Sequence, residues 1–154
     1  MALFNQSLEI TQRIGDVRTQ AMTLHQLAFI YANKGDVEQA IALFNQSLEI
    51  INERIGNVKG KAATLHQLAS IYANKGDVEQ AIALFNQSLE ITQRIGNVRT
   101  QANTLWWLGH LAEQQGEYTK AISYLQPALE ILQQLKSPDA ESVSASLNRV
   151  ICNS

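Results

Sequence analysis

Three histidines and two adjacent tryptophans are the side chains of this sequence best suited to binding or chemistry. His25 and His66 stand in the same string, Leu-His-Gln-Leu-Ala, 41 residues apart. Paired imidazoles suggest a shared metal ion, which needs both nitrogens about 2 Å away. Packed helix axes lie about 8–10 Å apart, and neither histidine has a carboxylate or cysteine one helical turn away to complete a ligand set. No metal and no cofactor is therefore expected. His110 and Glu113 are neighbours on a helix, but no third group orients them as an acid–base pair. No phosphate-binding glycine loop, nucleophile elbow or His-Glu-x-x-His string appears, and Cys152 stands two residues before Ser154. A catalytic role is not expected. Trp106 and Trp107 could stack on nucleobases, but stacking platforms work beside positive charge. Here 12 basic against 14 acidic residues give a net charge of −2, so nucleic acid is not the expected partner.

Composition narrows the class further. The chain has 154 residues, 45% of them hydrophobic, which suffices for a folded core. Only 17% are charged, and much of the polarity lies in 16 glutamines and 11 asparagines. A single cysteine allows no internal disulfide, and no apolar run approaches a membrane span. The opening residues lack the basic-then-apolar order of a signal peptide, so a cytoplasmic chain without membrane contact is expected.

The elements that must position these residues follow from internal repetition. Leu24–Ile50 and Leu65–Ile91 are identical except that Phe29 is replaced by Ser70, and a diverged third copy starts at Leu105. Gly35, Gly76 and Gly116 mark periods of 41 and 40 residues, the extra residue falling within 51–56. Repeats of this length are stacked units, each too small to bury its own apolar face. Within a unit, Leu24, Leu27, Ala28 and Tyr31 recur at helical spacing, as do Val37, Ala40, Ile41, Phe44 and Leu48. Glycine followed by Asp or Asn (Gly15-Asp16, Gly35-Asp36, Gly56-Asn57, Gly96-Asn97) stops one helix and caps the next. The pattern predicts helices over 2–14, 17–34, 37–55, 58–75, 78–95, 98–115, 118–136 and 138–152. The turns are short, so neighbours run antiparallel. The expected organisation is one domain over 1–154: a half repeat at 1–15, repeats at about 16–55, 56–95 and 96–136, and a capping helix at 137–152. That cap begins at Ser137-Pro138, and Pro127 interrupts the hydrogen bonding of the helix before it.

The series Leu27-Ala28, Tyr31, Gly35, Ala40, Phe44 and Ser47 resembles the tetratricopeptide repeat signature. Leu68-Ala69, Tyr72, Gly76, Ala81, Phe85 and Ser88 repeat it, and Leu108-Gly109, Gly116, Ala121, Tyr124 and Ala128 give a third version. The period exceeds the usual 34 residues and is similar to the long repeats of kinesin light chains and of bacterial, especially cyanobacterial, proteins. The resemblance implies an all-α, right-handed superhelical solenoid whose first helices line a concave groove for a peptide or protein ligand. The groove positions it implies are Met22, His25, Phe29 and Asn33, then Ala63, His66, Ser70 and Asn74, then Asn103, Trp106, His110 and Gln114. Phe29 and Trp106 are the expected anchors. With no Lys or Arg at these positions, a carboxylate clamp is not expected.

The opening ALFNQSLEI repeats the second helix of a unit with no first helix before it. This predicts a fragment of a longer array, or an exposed apolar end at Leu3, Phe4 and Leu8 able to join two copies. A self-assembling module, by exchange of equivalent helices or through that end, is thus the alternative expectation. Another is a regulatory array cut from a larger bacterial signalling protein.

Overall fold

A left-handed glycine followed by an acidic or amide cap breaks this chain into short antiparallel hairpins. At Gly76 φ is +88°, a conformation that any Cβ would strain. Its N–H donates to the Ala73 carbonyl, and that of Asp77 donates to Tyr72, which closes the helix. The Asp77 carboxylate then accepts from the Gln80 N–H and opens the next helix. Asp16, Asp36, Asn57 and Asn97 cap their helices by the same bond.

The structure, a computed structural model, describes residues 2–52 and 57–154. Eight helices are found among them: α1 (Ala2–Ile14), α2 (Val17–Asn33), α3 (Val37–Ile50), α4 (Val58–Lys75), α5 (Val78–Ile95), α6 (Val98–Gln114), α7 (Tyr118–Gln134) and α8 (Asp139–Asn153). Seven agree with the sequence pattern to within about two residues. The expected end of α3 at 55 and the Gly56 turn lie outside the described residues. Where α3 continues, Ile51 and Asn52 adopt a wider π-type turn. That is how a helix absorbs one extra residue, and the 41-residue unit has its insertion here.

The helices form two rows. Each hairpin, α2–α3, α4–α5 and α6–α7, is closely packed within itself. The first-type helices also touch along their row (α2–α4, α4–α6, α6–α8), whereas no two second-type helices touch among the described residues. The crowded row is the inner, concave side.

The core lies between the rows. Phe44 and Phe85 are wholly buried among Leu24, Leu27, Leu65 and Leu68. The Ser47 and Ser88 hydroxyls, also buried, donate to the Ala21 and Ala62 carbonyls of the facing helix at 2.9 and 2.8 Å. In the third unit the position of Phe44 and Phe85 belongs to Leu125, wholly buried, while Tyr124 is half-buried. The match of Tyr124 to that phenylalanine is thereby corrected: four residues after Ala121, not three, lies the core position. Leu125 presses on Gly109 so closely that a Cβ there would stand 2.6 Å from Leu125 Cγ. This glycine replaces Ala28 and Ala69 because of the packing, not because of a turn.

The last helix starts one residue later than expected. Pro138 precedes it, and the Ser137 hydroxyl accepts from the Asp139 N–H. Lys136, not glycine, takes the left-handed position after α7, with φ of 51°. Helix α7 runs through Pro127 without a break.

Candidate partner-binding groove

Helices α2, α4 and α6 carry the residues singled out above at one-turn spacing, and their row faces inward. Phe29 and Asn33 of α2 meet Ser70 and Asn74 of α4 around a cleft of about 370 Å³. Phe29 is 46% exposed, far more than a core aromatic would be. The two asparagines are exposed, with amides free to meet a peptide backbone. Glu38 and Lys75 also line this cleft and pair with each other at 3.4 Å. Sequence spacing did not point to them, because the partners come from different repeats.

His25 and His66 serve a different purpose from open groove contacts. His25 Nδ1 lies 3.0 Å from the Thr64 hydroxyl oxygen, and that hydroxyl donates to the Gly60 carbonyl. The oxygen therefore accepts, and His25 donates through Nδ1–H. His66 makes the same bond to Thr104 at 2.9 Å, with Thr104 donating to Thr100. Each imidazole also sets its edge against the core phenylalanine of its own unit, with centroids 5.1 Å apart for Phe44 and 5.3 Å for Phe85. Burial lowers the pKa of both, that of His66 to about 4. The histidines are thus clasps between successive units. His25 still borders a second, smaller cleft with Met22 and Ala63.

At the third junction the clasp is replaced. Trp106 holds the position of His25 and His66, and it packs partly buried against the apolar cluster of α6, α7 and α8. Trp107 stacks on Phe85 at 5.7 Å with its ring 21° from parallel, bridging two units. Both tryptophans, His110, Ser146 and Arg149 surround a third cleft of about 290 Å³. Arg149 reaches from α8 to Glu113 on α6 through Nε and Nη2, at 2.5 and 2.9 Å. Its guanidinium holds the Glu113 carboxyl below its ordinary pKa. Gln114 Nε2 lies 3.1 Å from His110 Nε2. Basic side chains therefore do reach the clefts: Lys75 and Arg149 are each engaged by a carboxylate, whereas Arg18 lines the second cleft with no carboxylate at ion-pair distance among the described residues. Among the described residues no three His, Cys, Asp or Glu side chains gather as a metal site, and no helix is long and apolar enough to cross a membrane.

The family model of the tetratricopeptide repeat matches residues 2–53, 19–94 and 100–150. The chain belongs to the tetratricopeptide repeat family. No curated protein matches the sequence. Among solved structures, BtubC (BKLC) from P. vanneervenii is similar over 99% of this chain and 64% of its own, at 22% identity and a TM-score of 0.90. The apo form of RapI is similar over 97% and 42%, at 19% identity and a TM-score of 0.88. A signal-transduction ATPase with a tetratricopeptide repeat sensor, PH0952 from Pyrococcus horikoshii, is similar over 94% and 22%, at 20% identity and 0.84. The chain spans less than two thirds of each, and the likeness establishes the tetratricopeptide-type solenoid fold.

Proposed function

We propose that the concave row holds an extended, largely uncharged segment of a partner protein, with this chain acting as a non-catalytic scaffold. Tetratricopeptide repeats are generally protein-interaction scaffolds, and the fold here is theirs. The reading rests above all on one observation: Phe29, Asn33, Ser70 and Asn74 surround one cleft across two repeats. Exposed amides there can pair with a peptide backbone, and the half-exposed Phe29 ring offers an apolar anchor. At the cleft of Phe29 and Asn33 the basic group, Lys75, is paired with Glu38, and at the third cleft Arg149 is paired with Glu113, so a ligand's carboxylate would have to compete for them. This favours a neutral segment over an acidic tail.

The test is selection of peptides from a random display library against the chain, followed by titration. Phe29→Ala combined with Asn74→Ala should weaken the selected peptides at least tenfold. Asn86→Ala, on the exposed side of a second-type helix, should leave them unchanged. Equal binding by all three proteins would overturn the proposal.

A further inference from the structure

The nine residues Ala-Leu-Phe-Asn-Gln-Ser-Leu-Glu-Ile occur three times, in α1, α3 and α5. In α3 and α5 the leucine in second place is covered by the facing first-type helix: Leu43 and Leu84 are each 7% exposed. In α1 the same face is open. Leu3 is 80% exposed, Ile10 54% and Ile14 67%, whereas Phe4 and Leu8 turn inward and pack against the core. With 100° per residue, Leu3, Ser7, Ile10 and Ile14 form one stripe, spaced four, three and four. Of the three residues expected at an open N-terminal end, Leu3 belongs to it. Coiled-coil seams have this spacing.

We infer that this stripe docks on the same stripe of a second copy, antiparallel, making a two-fold dimer that buries α1 against α1. Three features commit the face to this occupant. The order of spacings reads the same in both directions, so antiparallel pairing sets Leu3 against Ile14 of the partner subunit and Ser7 against Ile10 of the partner subunit. Large side chains meet at both ends and small meets large at the centre. Charge is compatible as well: Glu9 lies on the far side of the helix, the two Arg13 side chains fall at opposite ends of the pair, and antiparallel helix dipoles attract. Finally, the other end of the solenoid has little apolar surface to receive the stripe: Ile151, 51% exposed, is the one large exposed apolar side chain of α8. Outward on α8 lie Glu141, Ser142 and Asn148, all exposed. Head-to-tail growth is thereby disfavoured, and the isologous contact closes at two chains.

The inference is independent of the groove, whose residues lie elsewhere. Sedimentation of the 154-residue chain over a hundredfold range of concentration should approach twice 17.1 kDa. Ile10→Glu, at an exposed position, should return it to a monomer with unchanged helical circular dichroism. In a Cys152→Ser background, Leu3→Cys mixed with Ile14→Cys should give a disulfide-linked heterodimer on mild oxidation, and Leu3→Cys alone should not. A monomer at every concentration would overturn the inference, as would a dimer insensitive to Ile10→Glu. So would mass that grows beyond two chains, or Leu3→Cys linking to itself. A monomer that instead binds a peptide of residues 57–76 would assign the stripe to a first-type helix and overturn the dimer.

Discussion

Acidification should unlock the junction between the second and third units through His66. In an unfolded chain this imidazole takes its proton near pH 6.5, whereas burial in the junction lowers the value to about 4. The folded state refuses a proton that the unfolded state accepts. Stability is therefore full above pH 6.5, falls as the pH drops through that range, and stops falling below about 4. At about 1.4 kcal/mol per pKa unit, the whole loss is on the order of 3 kcal/mol, a large share of the stability of an ordinary domain. His25 lies in the equivalent junction and its pKa is lowered by the same cause, so its contribution has the same sign. Carboxylates also titrate over this range, so the effect must be isolated by comparison. In His66→Asn the amide nitrogen can still donate to Thr104 but does not titrate. Urea unfolding of both proteins at pH 7.5, 6.5, 5.5 and 4.5 gives the difference directly. Wild type should lose stability relative to His66→Asn as pH falls, and NMR should show His66 neutral at pH 5.5. A difference that is constant with pH, or an imidazole titrating near 6.5, would refute the reasoning.

Three other substitutions probe the packing. Gly109→Ala forces a methyl group into Leu125, and urea unfolding should show a loss of about 1–3 kcal/mol. Ser88→Ala removes a buried bond to the Ala62 carbonyl at 2.8 Å and should cost about 1 kcal/mol, read as a lowered urea midpoint. Lys136→Gly relieves a left-handed residue at φ 51° and should raise the midpoint, by about 0.5–1 kcal/mol in stability.

The helices and hairpins were legible because each depends on local chemistry that the sequence repeats. Gly76 and Asp77 stop and start helices whatever surrounds them, and the apolar spacing of Leu24, Leu27, Ala28 and Tyr31 fixes which face is buried. The groove was legible only in part. Phe29, Asn33, Ser70 and Asn74 do converge, because equivalent positions of stacked units must lie side by side. The role of His25 and His66 was not visible, since their partners Thr64 and Thr104 belong to the next repeat and spacing does not reveal which side chains meet across a junction. Arg149 was missed for the same reason, lying 36 residues from Glu113. Tyr124 stands in the series where Leu125 belongs, because the third copy exchanges Leu-Phe for Tyr-Leu, which moves the aromatic ring one residue off the core. On α1 the missing first-type helix was legible, but the helix turns Phe4 and Leu8 toward the core, where they stay partly buried, so the loss of cover falls mainly on Leu3.

A partner bound as proposed lies along the first-type helices. A photo-crosslinking amino acid placed in turn at Phe29, Asn33, Asn74, Asn45 and Asn86 tests it most directly, using a peptide selected on the wild-type chain. Crosslinks are expected from Phe29, Asn33 and Asn74 and none from Asn45 or Asn86, which are exposed on α3 and α5. Crosslinks confined to Asn45 and Asn86 would place the partner on the opposite row and contradict it.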